Sequence, residues 1–243
     1  MRSKTELYEY LRKVNWIALY NDKDPLLAEK IFKLINRAVP FSDPTGTDLI
    51  VDSVSSDLNL RISVTYLHHV FNINTNLFGN YNLENVRAAI ASGLFFGVEI
   101  NDIVDAVEKY QPANNRSQAK ITKSNMLICD SYNANPTSMH LALESFSAIK
   151  ADRKIVVLGD MLELGEKSEE EHIKILNSPQ EYTIEKALLV GPMFKKISSK
   201  SGFKAFDNVD ELIDFLKHEP VKGKAILIKG SRGIRLEKVY DLL

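Results

Sequence analysis

Glycine is scarce in this sequence. There are 11 in 243 residues, against roughly 17 at the usual share of about 7%, and none precedes Gly46, so no glycine-rich phosphate loop lies in the first 45 residues. The remainder holds none either. Its Gly-Lys pair, Gly223-Lys224, runs into Ala225 and lacks the preceding glycine and following hydroxyl that a phosphate cradle needs. A single cysteine, Cys129, excludes an intrachain disulfide and a cysteine-built zinc site, and fits a reducing cytosol. The longest mostly apolar stretch, Ala88 to Val98, is far short of the roughly 20 residues of a membrane span. The start, MRSKTELYEYLRKVNW, carries charge every few residues and has no apolar signal-peptide core. Charge of one sign is missing too: 31 Lys and Arg face 32 Asp and Glu, which argues against nucleic acid or an acidic membrane as partner. A cytoplasmic protein is expected.

What is present is an ordinary globular composition, 44% hydrophobic and 26% charged with 8 prolines, which can build a core and is not that of a disordered chain. At roughly 150 residues per domain the length gives about 1.6 domains. Leu7, Leu11 and Val14 fall at helical spacing, WIALY (16–20) reads as a buried strand, and Asn21-Asp22-Lys23-Asp24-Pro25 ends it in a polar turn. Leu27, Ile31, Leu34, Ile35 and Ala38 mark a second helix. Between Asp48 and Phe78 the runs LIVDSV, LRISVTYL and VFNINTNLF predict three or four strands without intervening helices, hence antiparallel. Helices follow from Asn82 (Leu83, Val86, Ile90, Leu94) and around Ile100, Ile103, Val104 and Val107. Gln111-Pro112-Ala113-Asn114-Asn115 breaks the pattern, and sets a domain boundary between 1–113 and 114–243.

Beyond it, short apolar runs at 126–130, 155–159, 187–191 and 225–229 alternate with helical segments at 136–149, 168–176, 209–216 and 234–243. This rhythm predicts a doubly wound, mostly parallel α/β domain covered on both faces. Asn135 is a good N-cap, Pro136 suits the first helical position, and Met139, Ala142, Leu143, Phe146 and Ile149 form the buried stripe.

Ligands of open α/β sheets bind beyond the carboxyl ends of the strands. Those ends read Asp130-Ser131-Tyr132-Asn133-Ala134-Asn135, Gly159 to Gly165, Gly191-Pro192 and Lys229-Gly230-Ser231-Arg232-Gly233. The last, with a Lys and an Arg beside two glycines at a helix start, suits an anion. Each loop alone is also an ordinary turn. His68 and His69, adjacent on a strand, point to opposite faces and are assigned no metal. His172 could touch substrate or be structural, and Glu169-Glu170-Glu171 reads as a solvated first helical turn.

At these loops the sequence resembles the Mur ligases. The resemblance is carried by CDSYNANPTSM (129–139), VLGDMLELGEKSEEEH (157–172) and IKGSRGIRLEKV (228–239), with FGNYNLEN (78–85) and NNRSQ (114–118). It is strongest toward the branch that joins D-alanyl-D-alanine to UDP-N-acetylmuramoyl-tripeptide in peptidoglycan synthesis. The resemblance implies an ATP-dependent ligase that phosphorylates a carboxylate with ATP and Mg2+ and lets an amine displace the phosphate. It also implies a Rossmann-like C-terminal domain at 114–243, preceded at 1–113 by the latter half of a P-loop-type α/β ATPase domain with antiparallel strands.

Asn82 and Asn85, in a pattern similar to GxHNxxN with Tyr81 in place of the histidine, would lie on the adenine; Asn82 also suits a helix N-cap. Arg116 resembles the arginine that reaches the ATP phosphates, and Asp130 the acid at the ribose. Asn133, Asn135, Lys229, Ser231 and Arg232 would face the substrate, with capping as the competing role for Asn135 and Ser231. Lys4, in SKTEL, resembles a lysine carbamylated in this family to help hold magnesium. Without a phosphate loop, the expectation is a C-terminal piece of such a ligase, inactive alone, which self-associates through residues 1–110. A noncatalytic binding module on the same fold and a sister ligase such as folylpolyglutamate synthase are the alternatives. A dinucleotide dehydrogenase is disfavoured because no GxGxxG follows a strand.

Overall fold

The computed structural model describes residues 2–182 and 184–243, with the side chains of residues 2–5, 32, 56, 180 and 200 outside the description. The chain forms two compact units, one of residues 1–55, 61–75 and 82–110, the other of residues 56–60, 76–81 and 111–243.

In the first unit, α1 (Arg2–Lys13) is followed by β1 (Ala18–Tyr20), α2 (Pro25–Leu34) and β2 (Ala38–Pro40). Asp24 starts α2: its carboxylate accepts the Leu26 and Leu27 amides at 3.0 and 3.1 Å, and Pro25 takes the first position, where no N–H is needed. The expected continuation of α2 to Ala38 is corrected. Ile35 is already extended, and residues 38–40 pair in parallel with β1, Ala18 opposite Ala38. Pro40 disfavours helix in the residue before it, and pairing satisfies the backbone of both short strands.

A three-stranded sheet follows, β3 (Leu49–Ser56), β4 (Leu60–Tyr66) and β5 (His69–Asn74), in that order. β4 and β5 are antiparallel, with Ile62 opposite Ile73 and Tyr66 opposite His69. The alternation is visible in burial, since Val51, Ile62, Val64 and Ile73 are buried while Ile50, Val54 and Val70 are exposed. The helices α3 (Leu83–Phe95) and α4 (Ile100–Lys109) complete the unit, and Glu108 accepts the Asn74 amide of β5 at 3.1 Å.

The second unit runs β6 (Gln118–Ile121), β7 (Met126–Asp130), α5 (Pro136–Ala148), β8 (Lys154–Gly159), α6 (Ser168–Glu181), β9 (Lys186–Val190), α7 (Pro192–Ile197), β10 (Lys204–Phe206), α8 (Val209–His218) and β11 (Ala225–Lys229). One sheet in the order β10-β9-β8-β11-β7-β6 results, parallel except for the antiparallel edge strand β6. The period of two sorts the strand residues between two cores. Ile128, Val156, Leu158, Ala187, Leu189 and Leu227 pack with Met139, Leu143, Phe146, Ile175 and Phe194 of α5–α7. Leu127, Cys129, Val157, Leu188, Val190, Ile226 and Ile228 pack on the other face with Leu212 and Leu216 of α8 and with Val239 and Tyr240. The sheet is therefore covered on both sides, as the unbroken apolar runs required.

The C-terminal helix expected at 234–243 is corrected to two 3-10 turns, Arg232–Ile234 and Leu236–Leu242, separated by Arg235 in the left-handed region at φ 61°. Leu236, Val239 and Tyr240 are still buried, so the apolar spacing is satisfied by the tighter winding.

The β4–β5 hairpin turns on Leu67 and His68, both left-handed at φ 49° and 65°. A two-residue turn with two positive φ values favours Asn-Gly, and a branched leucine is strained there. Replacing the pair (Leu67→Asn with His68→Gly) is expected to stabilise the first unit by about 1 kcal/mol, read as a higher urea midpoint at unchanged denaturant slope.

Candidate functional site

The chain after β7 turns onto the α5 face of the sheet, whereas the chain after β11 turns onto the opposite face, with Val239 and Tyr240. Neighbouring strands whose connections diverge in this way open a crevice at their carboxyl ends. Asp130 and Lys229 are the last residues of β7 and β11 and stand directly opposite each other in the register.

They form a buried ion pair. Lys229 Nζ lies 2.6 Å from Asp130 Oδ2, with side chains 3% and 11% exposed, and donates also to the Asn133 carbonyl at 3.2 Å. Asp130 Oδ1 accepts the Ser117 amide at 3.1 Å, and Oδ2 accepts the Tyr81 hydroxyl at 3.3 Å. Tyr81 in turn lies 2.9 Å from Ser117 Oγ. Burial, then the Asp130 charge, hold the Tyr81 hydroxyl well above its usual range, so it remains a donor. A carboxylate offers about four acceptor directions. Three are used here, which leaves one.

Above this pair sits a cationic clamp. The Arg116 guanidinium lies 3.7 Å from the Tyr132 ring centroid, and that of Arg232 lies 5.6 Å from the same ring. Both arginines are exposed, and the ring orients them without neutralising them. The nearby hydrogen bond and charge of Arg116, followed by the charge of Arg232, draw the Tyr132 hydroxyl below its ordinary range. Asn114, Asn115, Ser131, Tyr132, Arg232 and Glu237 line a cavity of about 370 Å³ here. Two fixed forks beside a small polar cavity suit a phosphate or carboxylate.

The loop after β8 is tied to this edge. Ser231 Oγ accepts the Leu162 amide at 2.9 Å, and the Ser231 amide donates to the Asp160 carbonyl at 3.2 Å. Asp160 accepts the Met193 and Phe194 amides at 2.8 and 2.9 Å at the start of α7. Gly191, at φ 125°, leaves room for that carboxylate, since a Cβ there would stand 2.3 Å from it. His172 is wholly buried against Phe194. Its Nε2 accepts the Met161 amide at 2.9 Å and its Nδ1 faces the Ser168 carbonyl at 2.7 Å. A backbone N–H only donates and a carbonyl only accepts, so the ring is the neutral Nδ1–H tautomer and its role is structural.

Arg116, Asp130, Lys229, Ser231 and Arg232 thus gather at one sheet edge. Asn133 contributes its main-chain carbonyl to Lys229, while its side chain is exposed. Asn135 caps α5 in a reciprocal box with Ser138, at 2.8 and 3.1 Å. Ser231 caps no helix with its side chain. In the first unit, Asn85 Nδ2 donates to Asn82 Oδ1 at 3.0 Å, and the Asn82 side chain does not cap α3. Lys4 falls in α1, and its side chain lies outside the described residues. Sequence reasoning missed Tyr132, Ser117 and the pairing of Tyr81 with Asp130. Tyrosine 132, in a loop between two separated arginines, was the available signal.

Residues 115–232 match the family described as Mur ligase, glutamate ligase domain. Along its whole length the chain is 30% identical to the UDP-N-acetylmuramoyl-tripeptide--D-alanyl-D-alanine ligase of Buchnera aphidicola subsp. Baizongia pistaciae, covering 100% of this chain and 54% of that protein. It is 28% identical to the protein of the same name from Bacillus subtilis, with 99% and 54% covered. A solved structure, UDP-N-acetylmuramoylalanyl-D-glutamyl-2,6-diaminopimelate--D-alanyl-D-alanyl ligase from Acinetobacter baumannii, has a TM-score of 0.81 at 26% identity, covering 99% of this chain and 54% of that one. The chain therefore spans about half the length of the relatives it matches.

Breaking the ion pair from one side strands a buried charge. Lys229→Met is expected to cost about 3–5 kcal/mol of stability and Asp130→Asn a comparable amount, with much of the loss recovered in the double replacement, as read by chemical denaturation. Burial also pushes the Cys129 thiol to about 11, so a thiolate-specific reagent at pH 8 should label the folded chain far more slowly than the denatured one.

Proposed function

Because this chain belongs to the Mur ligase family, we propose that its two units are the nucleotide- and substrate-facing parts of an ATP-dependent ligase joining D-alanyl-D-alanine to UDP-N-acetylmuramoyl-tripeptide in peptidoglycan synthesis. The observation that carries the reading is the clamp of Arg116 and Arg232 on Tyr132 beside the Lys229–Asp130 pair, on the very domain that matches the family.

The parts divide by chemistry. Arg116, permanently charged and held by an aromatic face, is suited to a transferring phosphoryl group. The unfilled acceptor direction of Asp130 suits a ribose hydroxyl. Arg232 suits a substrate carboxylate, while Lys229 holds the floor of the site and Ser231 the neighbouring loop; Asn133 and Asn135 border it. Asn82 and Asn85 carry the amide donors and acceptors that suit an adenine edge. ATP would supply the activating phosphoryl group, and Mg2+ its charge neutralisation. Among the described residues no three His, Cys, Asp or Glu side chains gather to hold a metal, and Mg2+ commonly takes only one or two protein ligands beside phosphates. A carbamylated Lys4 is the ligand this reading assigns. No segment of the sequence supplies the amides and lysine of a phosphate loop.

The chain alone is accordingly expected to release no phosphate from ATP when given both substrates; D-alanyl-D-alanine-dependent release would overturn that part. Binding tests the rest. ADP and D-alanyl-D-alanine at millimolar concentration should perturb the amide resonances of Tyr132, Lys229 and Arg232, and Arg232→Ala should abolish the dipeptide response. Silence of those resonances, or an equal response to a pteroyl-glutamate, would refute the assignment.

The first unit also exposes Leu7, Tyr10, Trp16, Leu26 and Phe96. Such surface favours association of two copies through residues 1–110, expected as a concentration-dependent rise in mass by light scattering. A constant monomer mass up to about 10 mg/ml, well above the micromolar range of specific pairing, would exclude it.

A further inference from the structure

Among the described residues, the largest fully buried side chain is a charged one, Arg87, at 1% exposure in the first unit. Nothing assigned so far uses it. Burying a guanidinium is unfavourable unless its donors are matched, and a retained one fixes geometry rather than adding stability. Its donors are matched by two acids from different places. Nη2 lies 2.6 Å from Asp22 Oδ1, just past β1, and Nη1 lies 3.2 Å from Glu84 Oε2, one turn earlier on α3. The same Asp22 oxygen accepts the Ser42 amide at 3.1 Å from the segment after β2, and Glu84 Oε2 accepts Asn21 Nδ2 at 2.9 Å. Burial works against the ionised Asp22, but hydrogen bonds, Ser42 among them, and the Arg87 charge outweigh it and keep the carboxyl below its ordinary range.

The network therefore binds the first turn of α3 to the carboxyl ends of both parallel strands. Helical spacing then settles what it orients. Residues 84 and 87 share one face, whereas Asn82 and Asn85, joined at 3.0 Å, share the roughly opposite one. A fork pinned on one face fixes the roll of the helix and so the direction of the amides on the other. We infer that Arg87 is a positioning residue that locks the rotation of α3 and thereby aims the Asn82–Asn85 amide pair at an adenine base. The direction of the pair follows from contacts within this unit; its ligand rests on the reading proposed above.

The full chain tests both separately. Arg87→Lys keeps the charge but loses the two-pronged geometry, and Glu84→Gln, at a half-exposed position, removes one prong with little risk to folding. Both should leave far-UV circular dichroism unchanged, move the side-chain amide resonances of Asn82 and Asn85, and speed hydrogen exchange in the first turn of α3. ADP affinity, followed at those amides, should fall about tenfold in Arg87→Lys, equivalent to about 1.4 kcal/mol, and less in Glu84→Gln. Unchanged amide resonances and exchange in both variants would overturn the positioning role, whatever ADP does. An absence of any ADP response at Asn82 and Asn85 in the unaltered chain would instead overturn the adenine reading, leaving the resonance and exchange comparison to decide the role of Arg87.

Discussion

The second unit depends on a cation almost wholly withdrawn from water. Lys229 ends β11 inside the sheet, and only because β7 ends at the same level with Asp130 does its charge have a partner at 2.6 Å. That coincidence of register governs what surrounds it. Ser117 and Tyr81 turn their N–H and O–H toward the same carboxylate, and the Asn133 carbonyl is drawn to the same ammonium. A buried pair of this kind contributes little net stability, but it tolerates few arrangements of its neighbours. Its product is a fixed floor for the crevice, beside which the two arginines are mounted.

The mounting uses a different force. Arg116 and Arg232 approach the site from distant parts of the sequence and meet only at the Tyr132 ring. An aromatic face restrains a guanidinium without neutralising it, which an acid would do. Charge is thus neutralised at the floor and left available at the rim, the division that the proposed anion site calls for.

Much of this was legible in the residues. The unbroken apolar runs that end in Asp130 and Lys229 located the two central strands and their carboxyl ends, and Asn135-Pro136 located the start of α5, because burial and capping are local signals. The short elements were not legible. β2, β6 and β10 have three or four residues each and acquire their identity from the strand they pair with. The left-handed Arg235, which turns the last expected helix into 3-10 turns, carries no glycine to announce it. In the site, the strand ends located Asp130, Lys229 and Arg232 on one edge, where the structure also has them. That Asp130 is shared by Lys229, Ser117 and Tyr81 is a fact of distance that no spacing in sequence encodes.

Gly159 and Gly230 stand against each other where β8 and β11 end, so close that a Cβ on Gly230 would lie 2.8 Å from the Gly159 Cα. With Ser231 bonded to both Asp160 and Leu162, the two loops that leave these strands share one backbone seam. They behave as a single jaw carrying Arg232. The geometry of this edge is therefore set by two loops together, and a lineage that lengthens one of them must rebuild the other.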